Sequence, residues 1–383
     1  MDNLTHSLIG AMTGEMASRF VPTAKSTLPE ATRRNLFMTL MVVGNNLPDS
    51  DLLYTGILEG NLGYLLHHRG HTHTVIGAII GAALMFGVSL LWLRWRHIKV
   101  SVFDRYWLAL IALLAPLMHL AMDFTNSYGV HPFWPFNNDW LYGDSVFIIE
   151  PLFWAAAAPL AFLLRSTWRR VVMSLILLIG IVLSFGLGLV PVPMAVGLTL
   201  MTAALLIVGW RASNRVASLT AFCAAAAVLL LFVISSRIAH SRIDALISAE
   251  YPNAVLLDRV MTPMPVNPLC WDTILVQLDQ DNYTLRRALF SLAPEWLPAA
   301  QCPHLNINGP TTLVFSPVAA PDSAVIEWHG EAAMSLAELQ SVINPNCEAS
   351  ALGRFARALW VQRSQGSWVV GDLRFDREPG AGF

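Results

Sequence analysis

Long apolar runs alternate with short charged loops through the first 240 residues, and after that the rhythm changes. Six runs approach the roughly 20-residue length of a membrane-spanning helix. They lie near 74–93, 106–123, 146–164, 171–190, 192–210 and 216–236. Two shorter runs near 4–18 and 35–48 precede them, each a little short for a span yet able to cross when packed among neighbours. The first opens as MDNLTHSLIG, with an acid where a cleavable signal has basic residues and with a histidine inside it. Beyond residue 240, NPLCWDTILVQLDQDNYTLRRALFSL reads as two alternating strands around a polar DQDN turn. TTLVFSPV and SAVIEWHG read as further strands, SLAELQSVI as a short helix, and RFARALWVQRSQGSWVVGDLRF as a hairpin turning at Gln365–Gly366.

The pattern predicts an α-helical polytopic membrane protein, six full spans plus two shorter N-terminal helices, with a C-terminal β-rich α+β soluble domain. The divisions fall at 1–155 for a membrane domain carrying the candidate chemistry, 156–240 for additional spans and 241–383 for the β-rich domain. Composition agrees. Hydrophobic residues make up 55% and charged residues 13%, against about a quarter charged in a soluble domain. The net charge of -2 says nothing about partners, and no basic, aromatic-interleaved patch points to nucleic acid.

Lysine and arginine set the topology. Arg19, Lys25, Arg33, Arg34, Arg94, Arg96, Lys99, Arg105, Arg165, Arg169, Arg170, Arg211 and Arg215 fall in one set of loops. The alternate loops, 49–73, 124–145 and 191–193, hold Arg69 alone. The first set therefore faces the cytoplasm, and the second set and the C-terminal domain face outward. On this map His6, Asp49, Asp51, the histidines of HHRGHTHT (67–74), His119, Asp123 and Glu150 all fall at the outer face. Orientation came from the basic residues alone, so this convergence is independent of it. Cys270, Cys302 and Cys347 also lie in the outward domain, where one disulfide could form with one cysteine left over; the pairing is open.

His119 and Asp123 are four residues apart and share a helix face. Imidazole with carboxylate suits zinc, manganese or non-haem iron rather than calcium. Each residue has a plainer reading alone. His119 and Asp123 could simply bond each other, the 67–74 loop could be solvated with Thr72 or Thr74 capping a helix, and Asp49 and Asp51 could form a polar turn after Pro48. Glu150 is harder to set aside, because an ionisable group within a span is costly without a partner. One composite site explains all of them with a single cause. More than four candidate ligands suggests two metals and a water acidified into a nucleophile, the chemistry of ester, phosphoester or amide hydrolysis.

The elements THS near the start, LPDSD, HRGHTHT and HLAMDFTNSYGVHPFWPF, in this order and spacing, resemble the YdjM-type family of membrane-bound, predicted metal-dependent hydrolases. The resemblance covers roughly residues 1–155, with the later spans and β-rich domain looking like a long form. By position it carries over His6, Asp49, Asp51, His68, Arg69, His73, His119 and Asp123. His71 occupies a variable position of the family's HRG-x-THS element, and Thr74 replaces its final serine. The resemblance implies a hydrolase using one or two divalent ions, zinc first, with manganese or iron as alternatives. A fainter likeness is to zinc-dependent phospholipases C, by analogy.

The resulting expectation is an inner-membrane, multi-pass hydrolase acting at the outer face. His6, Asp49, His68, His119 and Asp123 hold metal. Asp51, His73 or Glu150 orient ligands or act as base, and Arg69 steadies an anionic group such as a lipid phosphate. Membrane lipids are the expected partners, and a lipid-linked or phosphoester compound the expected substrate. The rival class is a non-catalytic metal-binding or lipid-binding membrane protein: a sensor, transporter or scaffold.

Overall fold

The computed structural model describes residues 1–55, 63, 67–304, 313–364 and 366–375. The chain divides into two compact units: Met1–Tyr54 with Arg69–Gly143 and Ile148–Leu230, and Thr55–His68 with Asp144–Phe147 and Leu231–Phe383.

In the first unit α1 (Asn3–Phe20) and α2 (Glu30–Gly44) form a tight antiparallel pair. Asp2 caps α1 by accepting from the Thr5 N–H. Glycines let the two backbones meet: a Cβ on Gly10 would stand 2.6 Å from the Met41 carbonyl oxygen. Arg33 and Arg34 lie buried within α2 rather than in an open loop. Arg33 donates to the Ser18 and Val21 carbonyls at the end of α1. Arg34 holds the buried Glu15 carboxylate through two hydrogen bonds of 2.8 and 2.9 Å.

Five helices among the described residues are long and apolar enough to cross a membrane. They are α3 (Val75–Trp95), α4 (Val102–Phe124), α7 (Thr167–Gly186), α8 (Val192–Arg211) and α9 (Asn214–Glu250). The protein is thus a multi-pass membrane protein. The run at 146–164, expected as a sixth span, is instead two short helices, α5 (Pro151–Ala156) and α6 (Leu160–Leu163). Pro151 can only start a helix, and Pro159 has no N–H to continue one. Between them the chain tightens into three-residue turns, Ala158 to Ala155 and Leu160 to Ala157. Ala155 to Ala158 are buried, so protein rather than lipid covers this break. Arg34 donates to the Leu163 carbonyl at the end of α6.

In the second unit, four antiparallel strands run in sheet order β1 (Val255–Met264), β2 (Asn267–Asp279), β3 (Asn282–Ser291) and β4 (Ile326–Ser335). β2 and β3 are the hairpin read from the sequence. The SAVIEWHG strand starts later, at Ile326, and α10 (Leu336–Ile343) follows it as expected. β1 and α11 (Cys347–Phe355) escaped the sequence pattern. The end of β1 is buried on both faces and shows no alternation. One sheet face packs Val260, Ile274, Val276 and Leu285 against Leu339 and Ile343 of α10. The other packs Met261, Trp271, Leu275 and Phe290 against Ala239, Ile243 and Ile247 of α9, which continues past the end expected near 236.

β5 (Leu359–Ser364) pairs with β6 (Ser367–Asp372); Gln365, in the predicted turn, lies outside the described residues. The first two residues of TTLVFSPV also lie outside them, and the rest makes one isolated bridge, Ser316 to Glu331, rather than a strand. Cys270 and Cys302 form the disulfide the sequence left unassigned. Cys223 on α9 and Cys347 are free and exposed.

Candidate metal centre

Three separate segments of the first unit bring four donors to one point. Asp49 comes from the single 3-10 turn Pro48–Asp51 that ends the α2 connection. His73 closes a second 3-10 turn, His71–His73, fixed by the start of α3. There the Thr74 hydroxyl accepts from the Gly77 N–H and donates to the His71 carbonyl. His119 and Asp123 lie one turn apart on α4, and all four residues are buried.

Their donor atoms face one another. His119 Nε2 stands 3.0 Å from His73 Nε2. Asp49 Oδ1 is 3.3 Å from His73 Nε2 and 3.5 Å from His119 Nε2, and Asp123 Oδ2 is 3.3 and 3.4 Å from the same two nitrogens. Ligands bonded at about 2.0–2.1 Å in a tetrahedron stand roughly 3.3–3.4 Å apart. The five observed edges, 3.0 to 3.5 Å, bracket that figure. Asp49 Oδ2 is buried with no hydrogen-bond partner, a costly condition that a cation would relieve. The residues present therefore fit a divalent metal ion.

The outer partners set each ligand's proton. Asp51 Oδ2 lies 3.2 Å from His73 Nδ1, and Asn45 O lies 2.8 Å from His119 Nδ1. Protons on both Nδ1 atoms leave both Nε2 lone pairs facing inward. Asp51 Oδ2 also accepts from the Arg69 N–H at 2.8 Å and from Thr72 Oγ1 at 3.1 Å. Without an ion, burial by itself would lower the pKa of His73, but hydrogen bonds to Asp123, Asp49 and Asp51 outweigh it and raise it to about 10, so an entering cation would displace a proton to reach the Nε2 lone pair. For Asp49, burial would raise the carboxyl, yet the bond from His73 holds it below its ordinary value. Three buried carboxylates draw positive charge to this point.

Arg69 does not line an open rim. It is 2% exposed, its Nε is 3.0 Å from Asp123 Oδ2, and its Nη1 donates to Asn126 Oδ1 at 2.9 Å. Its guanidinium also sits 4.7 Å over the Tyr128 ring. His6 stacks on His119 with ring centroids 3.9 Å apart, and its Nε2 is 3.2 Å from Asp123 Oδ1. The Met1 amine also pairs with Asp123 Oδ1.

The structure thus gathers His6, Asp49, Asp51, Arg69, His73, His119 and Asp123. The four-donor set takes His73 from the HRGHTH element, because His73 is the residue locked under the α3 cap, while His68, expected as a ligand, falls in a second candidate donor group. His68 belongs to the second unit and is half-buried. Glu150 is not inside a span. It is the buried N-cap of α5, accepts from the Leu152 N–H at 3.0 Å, and stands outside the four-donor set. His71 meets the Trp134 ring edge-on, and His131 stacks on Trp140. Sequence reasoning missed Asn45, Thr72, Asn126 and Tyr128. Asn45 did leave a signal: an asparagine pair closing an apolar run, where a buried amide needs partners.

A family model described as YdjM inner membrane protein matches residues 1–192. The Bacillus subtilis (strain 168) protein YfhP is 28% identical over 141 residues, 37% of this chain and 39% of that protein. The match thus spans well under half the length of that relative. No solved structure matches the chain. The N-terminal half, which carries the whole four-donor set, is the half that the family model covers, and the chain belongs to the YdjM inner membrane protein family.

Proposed function

We propose that the protein is a membrane-bound, metal-dependent hydrolase working at the outer face of the membrane on a lipid-linked ester or phosphoester. The observation that carries this reading is the set of edges, 3.0 to 3.5 Å, among Asp49, His73, His119 and Asp123. A divalent ion bound there supplies Lewis acidity and lowers the pKa of water, the chemistry that ester and phosphoester cleavage needs.

The chain's own residues do the rest. Asp51 and the Asn45 carbonyl hold the two ligand imidazoles in the tautomer with Nε2 free. Arg69 is a positioning residue that fixes the Asp123 carboxylate, a role in place of the anion clamp expected from its isolation in the outward loops. His6 stacks on His119 and bonds Asp123 Oδ1 through Nε2, so it positions both ligand side chains. The outward placement is supported by the lysine and arginine distribution. The Cys270–Cys302 disulfide supports it as well, because disulfides persist in oxidising compartments.

One observation favours a second reading. Four protein donors complete a tetrahedron, whereas catalytic zinc keeps a position open. A four-coordinate ion here would be non-catalytic, while a five- or six-coordinate manganese, iron or zinc would still admit water and substrate. The test is metal analysis of purified protein, followed by hydrolysis of bis(p-nitrophenyl) phosphate and p-nitrophenyl esters with added zinc, manganese or iron. Metal-stimulated turnover that is lost in Asp49→Asn and His73→Ala supports the hydrolase. Stoichiometric metal without turnover supports the second reading. No bound metal in the unmodified protein sinks both.

A further inference from the structure

Past the end of α9, the face of the β1–β4 sheet that packs on that helix turns mostly polar. Gln277 on β2 is in register with Thr284 on β3, which is in register with Ala333 on β4. Arg286 and Glu331 form the next rung on the same face, and Asp279 stands two residues beyond Gln277. The last helical residue, Glu250, and the following Tyr251 close the other side. Glu250, Tyr251, Gln277, Asp279, Thr284 and Arg286 line a pocket of about 420 Å³, within the usual range of small-ligand sites.

The charges in this pocket are already arranged. The Arg286 guanidinium lies 3.9 Å over the Tyr251 ring and donates to Glu331 Oε2 at 2.7 Å and to Gln277 Oε1. Its positive charge is therefore neutralised from outside the pocket. Glu250 and Asp279 remain as exposed carboxylates, which repel anionic ligands. Gln277 is 1% exposed, lines the pocket, and its Nε2 has no hydrogen-bond partner. A buried amide donor in this position is costly unless a ligand accepts from it. The site offers a fixed donor in Gln277, acceptors in the two carboxylates, and the Thr284 hydroxyl, which does both.

We propose that this pocket binds a neutral polyhydroxylated ligand, a sugar or the glycosyl part of a larger molecule. Hydroxyl groups each donate and accept, so they satisfy a mixed donor and acceptor lining that carries no free positive charge. An apolar ligand would leave the buried Gln277 amide without a partner. The site is independent of the metal centre and stands or falls separately.

The test is calorimetric titration of the full-length protein, purified in a detergent without a sugar headgroup, with glucose, N-acetylglucosamine and maltose. Spermidine and inorganic phosphate serve as cationic and anionic probes. Saturable binding of at least one sugar is expected, weakened about fivefold or more in the nearly isosteric Gln277→Leu and in the rim variant Asp279→Asn. An unchanged melting temperature in Asp279→Asn separates lost binding from lost folding. The proposal is overturned if no sugar saturates the protein, if sugar binding is untouched by both substitutions, or if only spermidine or phosphate binds.

Discussion

Asp123→Asn changes almost no volume, yet it removes the charge on which the metal centre converges. In the native chain Asp123 Oδ2 is 3.0 Å from Arg69 Nε and 3.3–3.4 Å from the two ligand imidazoles. Two consequences follow, and they are separable. Arg69, 2% exposed, would keep a buried positive charge without its carboxylate, a loss of about 3–5 kcal/mol for the metal-free protein. At about 2–4 °C per kcal/mol for a unit of this size, melting falls by roughly 6–20 °C. Separately, one of four donors is gone, so the metal-induced stabilisation, about 2.7 kcal/mol at a hundredfold excess over Kd, should disappear. The assays are metal content by mass spectrometry and melting with and without added zinc or manganese.

The double variant Asp123→Asn with Arg69→Met sharpens the test. Removing the orphaned guanidinium should restore part of the lost stability, while metal binding stays lost. The reasoning is refuted if Asp123→Asn retains both its metal content and its metal-dependent melting shift. It is also refuted if the double variant is no more stable than the single one.

Other outcomes follow from the geometry. Arg357 donates to both Asp144 and Asp258, with contacts of 2.8 Å in each case, so Arg357→Leu should destabilise the second unit by about 3–5 kcal/mol, read as earlier proteolysis of that unit on heating. Gly10→Val would drive a side chain into the Met41 carbonyl, where a Cβ already stands at 2.6 Å; the expected result is loss of folded protein on size exclusion, with Gly87→Val, open for 4 Å around, as the tolerated control. Thr74→Val removes the N-cap of α3 and should cost about 1 kcal/mol, together with weaker metal retention in dialysis because the cap fixes the turn that carries His73. Chelator treatment should lower the melting temperature, and re-addition of metal should restore it; a chelator-insensitive melt would count against the centre.

Much of the protein is determined locally by its sequence. Apolar run length alone identifies a membrane protein, because lipid demands about 20 apolar residues for each helical crossing. Period-two alternation identifies β2 and β3, and ligand chemistry singles out the His and Asp residues that converge. Local pattern does not reveal partners. Whether 146–164 crosses as one helix depended on where two prolines fell and on neighbouring helices able to cover the break. Arg33 and Arg34 look like cytoplasmic loop charges until α1 supplies the carbonyls and the carboxylate that bury them.

The same division runs through the site. Sequence supplied the candidates, and tertiary structure selected His73 for the donor set, gave Arg69 to Asp123 and enlisted the Asn45 carbonyl. A metal sphere is a condition on distances among atoms, and the residues meeting it here come from Asp49 to Asp123 in three separate segments, with His6 from a fourth. Spacing along the chain constrains distance only within one element, as between His119 and Asp123. The remaining edges are fixed by how α1, α2 and the two 3-10 turns pack on α4.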